Sequence, residues 1–369
     1  MRINVESPAN LAGIPHPIPN NETSMTMQAV TLIAHGGNEA VAIGPRPSPT
    51  LQDGLALVRV RAATLNRVDL YMRDSGAGIT HTLPQIMGVD GAGVIEALQG
   101  GGGNWQVGQS VLLYPGIACG HCEFCQRREP VLCTRYQLLG EHRDGTFAEF
   151  VAVPQDNLVA LPPTLNFVQG AALGVNHLTA WRMLFSKARL KPTDTVLIFG
   201  IGGGVSLAAL QLVKALGAKA LVTSTSDDKL AKALSMGADQ AINSTQEDVA
   251  KAVLAHTGGR GVDVVFENVG AAVWASAMKS LVRGGVLVTC GATTGDQPGA
   301  DLRRLFIRQI TVMGSTLGNP QELRELVAFC EHHALQPVID SEWPLVDAHQ
   351  ALARLESGQQ FGKVALVMD

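Results

Sequence analysis

TVLIFGIGGGVSLAALQLVKALGA, residues 195–218, decides the fold. TVLIFG is a continuous apolar, β-branched run, the pattern of a strand buried on both faces. Glycines follow, and the chain beyond them reads as a helix. Strand, glycine turn and helix in that order raise a weak pattern to a strong signal. The glycines let the backbone turn sharply and approach a pyrophosphate. The helix N-terminus adds unpaired N–H groups and the positive end of its dipole. Gly200, Gly202, Gly203, Gly204 and Val205 are the expected cofactor contacts. Ser206 stands where the fingerprint often has its last glycine.

Outward from this turn the alternation continues. ALVTS (220–224) is a second strand and DDKLAKALSMGA (227–238) a second helix. QAIN, EDVAKAVLAHTG, VDVVFENVG, WASAMKSLVRGG and VLVTCGA repeat the unit. Strands alternating with helices of this length give a doubly wound parallel sheet, which we place at residues 166–318. Dinucleotides cross the carboxyl edge of such a sheet. Asn268 and Val269, after the fourth strand, and Gly291, Ala292 and Thr293, after the fifth, are therefore expected at the cofactor. The end of the second strand sets cofactor identity. An NAD site would carry Asp or Glu there; this chain has Ser224, Thr225 and Ser226, with Lys229 one turn further on. Hydroxyls and an ammonium hold a 2′-phosphate that a carboxylate would repel. The expectation is NADP(H), with NAD(H) left open because Asp227 and Asp228 adjoin; their alternative role is to cap the helix.

Residues 27–165 read differently. LALVRVRAATL (55–65), GVDGAGVIEAL (88–98), QSVLLYPG (109–116) and FAEFVAVP (147–154) are strand-like, as in an antiparallel barrel or sandwich. Between them CGHCEFCQRREPVLC places Cys119, Cys122, Cys125 and Cys133 within one short run. Four thiolates at this spacing close a tetrahedral shell around one zinc ion and leave no position for substrate, so the site is structural. The chain has six cysteines in all, and this usage points to a metal site in an intracellular, cytoplasmic protein rather than a disulfide framework. Residues 1–26 lack periodicity and a secretory pattern, and are expected to be a disordered tail. A formal charge of −4 gives no footprint for nucleic acid, and no apolar stretch suits a membrane span. From Asn319 to 369 a helix and a last strand, KVALVMD, are expected to rejoin the first lobe.

AATLNRVDLYMR, GVDGAGVIEAL, the cysteine lobe, the glycine turn, LVTSTSDDKLAKALSMGAD, VDVVFENVG and FGKVALV together resemble the medium-chain dehydrogenase/reductase superfamily along residues 28–369. The resemblance implies an α/β fold in which a GroES-like β-barrel catalytic domain is interrupted by a Rossmann domain, with the active site in the cleft between them. It also implies homodimers or homotetramers. Zinc-dependent alcohol dehydrogenases of that superfamily carry a catalytic zinc on Cys, His and Cys. Here the matching positions are Asn66, Val89 and Val175, none of them a normal zinc ligand. The chain looks like the quinone oxidoreductase and enoyl reductase branch, while keeping the zinc lobe.

Without a Lewis acid, a simple alcohol is hard to polarise. A quinone, enone or enoyl thioester delocalises the charge that hydride brings, and needs only hydrogen-bond donors and a proton. The resemblance implies that Asn66 orients a carboxamide or carbonyl, Tyr71 donates to the developing anion, Thr179 packs beside the nicotinamide and Lys363 contacts cofactor phosphate. Some quinone-reducing relatives carry a second tyrosine where this chain has Ala77. His177 is a further candidate for the cleft, as is His142; Asp69 is expected to hold its loop by backbone hydrogen bonds. Two other functions stay open: an alcohol or aldehyde dehydrogenase with an atypical metal on Asp69, Asp90 and His142 or His177, and a non-catalytic NADP(H)-binding structural or sensing protein.

Overall fold

The structure, a computed structural model, describes residues 25–78, 82–101 and 103–368. The tail expected over residues 1–26 lies, as far as residue 24, outside the described residues; Thr26 already opens the strand Thr26–Leu32. Six parallel strands form one sheet, in the spatial order Gln240–Asn243, Lys219–Ser224, Thr195–Ile198, Val262–Glu267, Leu281–Thr289, Thr311–Gly314. The chain winds outward from Thr195–Ile198 on one side, then crosses to Val262–Glu267 and winds outward on the other. The reversal falls between these two neighbours, and a crevice opens past their carboxyl ends. Side chains alternate across the sheet. Val196 and Ile198 enter one core with Leu207 and Leu210 of the helix Gly204–Leu216, while Leu197 and Phe199 enter the opposite core with Val253 and Leu287.

One boundary differs from expectation. SLVRGG was expected to end a helix, but the helix Ala271–Ser280 stops at Ser280 and the strand starts at Leu281. Leu281 pairs with Val262 and is buried in the second core, so sheet pairing and burial outweigh local helix preference.

The other lobe holds a mostly antiparallel sheet in the order Leu158–Ala160, Ser110–Leu113, Asp90–Leu98, Leu55–Thr64, Lys363–Val367, Ile339–Pro344, with Phe150–Pro154 also on Leu55–Thr64; only Ile339–Pro344 runs parallel to its neighbour Lys363–Val367. The end of the chain therefore returns to the lobe where the strands began: Ala365 pairs with Thr64, Leu366 with Ala63 and Val367 with Ala62. The turn before that last strand also meets the parallel sheet, because Gly362 N donates to Gly202 O at 3.1 Å. No helix among the described residues is long and apolar enough to cross a membrane.

Candidate active site

The glycine turn has the geometry that its sequence requires. Gly200 and Gly202 hold φ of +67° and +108°, a region costly for residues with a Cβ. The helix Gly204–Leu216 is preceded by Gly203, which gives no side-chain cap, so the first-turn N–H groups stay available to an anion. Ser206, at the altered fingerprint position, is fully buried; its hydroxyl donates to Phe199 O at 2.7 Å and accepts from Asn268 Nδ2 at 2.8 Å. The structure brings the other expected contacts to the same place. Val269 and Asn268 border Gly200, Gly291 packs on the Asn268 carbonyl, Ala292 abuts Gly270, and the Thr293 hydroxyl donates to Val269 O. Glu267 braces this edge by accepting from the N–H groups of Val269 and Gly270.

At the end of the second strand, Ser226 rather than an aspartate caps the helix Asp227–Ser235, its hydroxyl accepting from Lys229 N. Asp227 is turned away, bound by Asn243 and Gln246. Ser224 accepts from Ser226 N at 3.2 Å. Lys229 reaches back over the glycine turn: its Cδ lies 2.6 Å from where a Cβ on Gly202 would stand, and its ammonium donates to Gly358 O at 2.6 Å. Burial lowers the Lys229 pKa first; Arg354, Lys232 and Arg67 lower it further while Asp340 opposes them.

A buried polar node forms around Asn66, one of the three positions that match catalytic zinc ligands, and takes in Asp90 and Asn176, which follow the other two in sequence. Asp90, wholly buried, accepts from Thr64 N at 2.9 Å, Thr64 Oγ1 at 2.7 Å and Asn66 Nδ2 at 3.0 Å. Asn66 Nδ2 also donates to Thr64 O, and Asn66 Oδ1 accepts from Lys363 Nζ at 2.6 Å and Asn176 Nδ2 at 3.1 Å. Lys363 further donates to Leu65 O at 2.9 Å and stands 3.6 Å from Asp90 Oδ2. Burial lowers the Lys363 pKa, and Asp90 and Asp69 oppose that. Asp69 accepts from Asn66 N at 2.6 Å, holding the start of the helix Arg67–Ser75 as expected. Burial nevertheless pushes its carboxyl up to about 8, against the Asn66 N–H and helped by Asp90.

Three expectations are corrected here. Asn66 does not present its amide to a ligand, since both its N–H groups and its oxygen are committed within the node. Lys363 lies against the turn, its Cδ 2.9 Å from where a Cβ on Gly204 would stand, but its ammonium is bound to Leu65 and Asn66 instead of facing a phosphate. His177 does not face the cleft. It is buried, with Nε2 3.1 Å from Gln211 Oε1 and Nδ1 3.3 Å from Ala172 O, and burial lowers its pKa to about 4. Its helix winds with wider π turns over Leu173–His177, which turns Asn176 toward Asn66 and His177 toward the parallel-sheet domain. Thr179 is buried one turn on, and Tyr71 is exposed on the helix Arg67–Ser75. Asn176 was missed: it differs from its neighbours only by direction, which the sequence does not encode locally.

The four cysteine sulfurs lie within 4.8 Å of one another, the one group of three or more His, Cys, Asp or Glu side chains among the described residues placed to hold a metal. His121 and Cys122 backbone N–H groups help draw the Cys119 thiol down to about 5, while burial and neighbouring thiols push Cys125 up to about 12. Crowded thiols cannot all ionise without a cation, and four sulfurs suit tetrahedral zinc. Arg182 ties this lobe to the cleft wall, donating to Glu129 Oε2 and Glu322 Oε2, each at 2.8 Å.

Comparison with known proteins agrees with this architecture. Residues 52–163 match the model of the alcohol dehydrogenase GroES-like domain, and residues 204–332 that of zinc-binding dehydrogenases. The chain is 31% identical over 322 residues to an alcohol dehydrogenase of Geobacillus stearothermophilus, covering 87% of this chain and 94% of that one. It is 29% identical to a quinone oxidoreductase of Mus musculus, covering 93% and 98%. The crystal structure of an NAD-dependent alcohol dehydrogenase superposes with a TM-score of 0.89 at 38% identity, covering 93% of this chain and all (100%) of that one.

Proposed function

The chain belongs to the medium-chain dehydrogenase/reductase superfamily and is an oxidoreductase, and from that premise we propose that it uses NADP(H) to reduce a conjugated carbonyl acceptor: a quinone, enone or enoyl thioester. The observation that carries the reading is the Lys363–Asn66 contact of 2.6 Å. It puts an ammonium and a fully bonded amide at a position that matches a catalytic zinc ligand, beside Asp90. Val89 and Val175 at the other two positions offer no donor atom. An acceptor that spreads its own charge suits such a site.

The glycine turn, Asn268 and Thr293 would hold the dinucleotide, and Ser224, Ser226 and Lys229 would bind a 2′-phosphate. When bound, the reduced nicotinamide supplies hydride. Thr179 would pack against the ring, and Tyr71 would donate to the oxygen on which charge develops. The four cysteines would hold one zinc ion that shapes the lobe and takes no part in the reaction.

The similarity to an NAD-dependent alcohol dehydrogenase favours a second reading, oxidation of simple alcohols with an atypical metal. One experiment separates the two. Consumption of NADPH and NADH is followed with quinones, enones, enoyl thioesters and simple aldehydes, alongside metal content. NADPH consumption with conjugated acceptors and about one zinc per chain is expected. Turnover confined to aldehydes, with a second zinc, would overturn the proposal. Dinucleotide binding without turnover would support the non-catalytic role.

A further inference from the structure

A cavity of about 340 Å³ is lined by Trp105, Gln155, Asp156, Leu158, Pro320 and Arg324. It shares no residue with the dinucleotide site or the Asn66 node, and its size is that of a small-molecule site. Its two walls belong to different cores. Trp105 and Leu158 pack in the core of the barrel lobe. Pro320 and Arg324 lie in the first turns of the helix Pro320–His332, which buries Leu323 and Leu326 in the same core as Val196 and Ile198 of the parallel sheet. The cavity therefore stands on the seam between the two lobes.

Both walls are firmly held. On the first, the outer members of the turn Gln155–Asn157 tie it down. Gln155 Nε2 donates to Gly100 O at 2.9 Å and to Leu55 O at 3.2 Å, and Asn157 Nδ2 donates to Tyr114 O and Gly116 O, each at 2.7 Å. Asp156, between them, is exposed, and its carboxylate has no partner among the described residues. On the second wall, Glu322 fixes the start of the helix by accepting from Arg182 Nη1 at 2.8 Å and from Asn319 N at 2.7 Å. Arg324 is exposed; its Nε donates to Gln321 Oε1 at 3.3 Å, and its terminal N–H groups have no partner among the described residues. Asp156 and Arg324 thus line one cavity with opposite charges and form no ion pair with each other. The rest of the lining is largely apolar: an indole, a leucine and a proline.

We propose that this cavity is a second ligand site, for a free α-amino acid with an apolar side chain. The ligand carboxylate takes the Arg324 guanidinium in a charge-assisted, bidentate bond. Its ammonium takes the Asp156 carboxylate, and its side chain covers Trp105, Leu158 and Pro320. A zwitterion answers both charges at once. A ligand of one sign would leave the opposite wall unpaired in a site that its own body has made drier. The bound amino acid joins a turn of the barrel lobe to a helix seated in the other core, so it stabilises the docked arrangement of the lobes. Both charged groups are exposed in the empty site, so solvent screens part of their attraction and the dissociation constant is expected to be roughly millimolar. The site stands whichever acceptor the enzyme reduces.

The test titrates the full, zinc-loaded chain with L-phenylalanine and with L-leucine by calorimetry, and follows the thermal midpoint. Saturable binding of at least one of them, with a raised midpoint, is expected. For phenylalanine, two truncated probes separate the charges: 3-phenylpropionate lacks the ammonium and phenethylamine lacks the carboxylate, and each should bind about tenfold more weakly or worse. Arg324→Ala and Asp156→Asn should each weaken amino-acid binding about tenfold or more, and Arg324→Lys should restore part of it. Both positions are exposed, so the midpoints of the unliganded variants should stay close to that of the wild type. No saturable binding of either amino acid at about 10 mM would overturn the proposal, as would binding that survives both substitutions. Phenylpropionate binding as tightly as phenylalanine, with Asp156→Asn without effect, would make the ligand a simple organic anion and overturn the zwitterion site.

Discussion

Lys363 Nζ lies 2.6 Å from Asn66 Oδ1, and both residues are buried although 297 positions separate them. The contact joins the last strand of the chain to the start of the helix Arg67–Ser75. It also sets an ammonium against Asp90 and Asp69. Removing one partner of a buried charged cluster leaves the others uncompensated. Lys363→Met should therefore destabilise the fold by about 3–5 kcal/mol, read as a lower urea midpoint at pH 7. A loss below about 0.5 kcal/mol, the scale of an ordinary surface substitution, would mean that the ammonium is not partnered as described.

Metal analysis should find about one zinc per chain, lost on Cys133→Ser. The consequence should extend beyond the lobe, because Arg182 links Glu129 to Glu322 at the start of the helix Pro320–His332. Chelating the zinc is expected to raise amide exchange both at residues 119–133 and around Glu322. Exchange confined to the cysteine run would show that the Arg182 link transmits nothing.

The parallel sheet and the cysteine lobe were legible because their signals are local: buried runs with a glycine turn, and four thiols in one segment. The node at Asn66 was not. Its partners come from residues 64, 90, 176 and 363, and a single sequence carries no pairing between them. The reading of Asn66 as a ligand contact came from matching one position at a time; the structure shows that Lys363 and Asn176 claim its oxygen first. His177 failed for a different reason. Which of two adjacent residues faces the cleft depends on how tightly the helix winds at Leu173–His177, and composition does not report that.

Lys229 is expected to discriminate between cofactors. A charge-assisted bond to a 2′-phosphate is worth about 1.5–3 kcal/mol. Lys229→Ala should then raise the KM for NADPH by roughly 10- to 100-fold while changing that for NADH little. Equal effects on both would place the ammonium at a phosphate common to the two, or leave it simply as a tie to Gly358.

His177 should make the protein sensitive to acid in a defined window. Its pKa lies near 6.5 in an unfolded chain and is lowered by burial to about 4 in the fold, with the Gln211 and Ala172 contacts opposing. The unfolded chain therefore binds a proton first. The stability of the neutral ring is fully present above pH 6.5 and is lost as pH falls through the interval down to about 4, by roughly 3 kcal/mol in total. Carboxylates also destabilise the fold in acid, so the informative quantity is a difference. Urea midpoints of the wild type and His177→Gln are compared at pH 7 and pH 4.5. The variant should start less stable, having lost a packed ring, and should fall less on acidification. Parallel falls in the two proteins would mean that the imidazole takes up its proton within the fold despite its burial, the Ala172 and Gln211 oxygens sufficing to hold the charged ring.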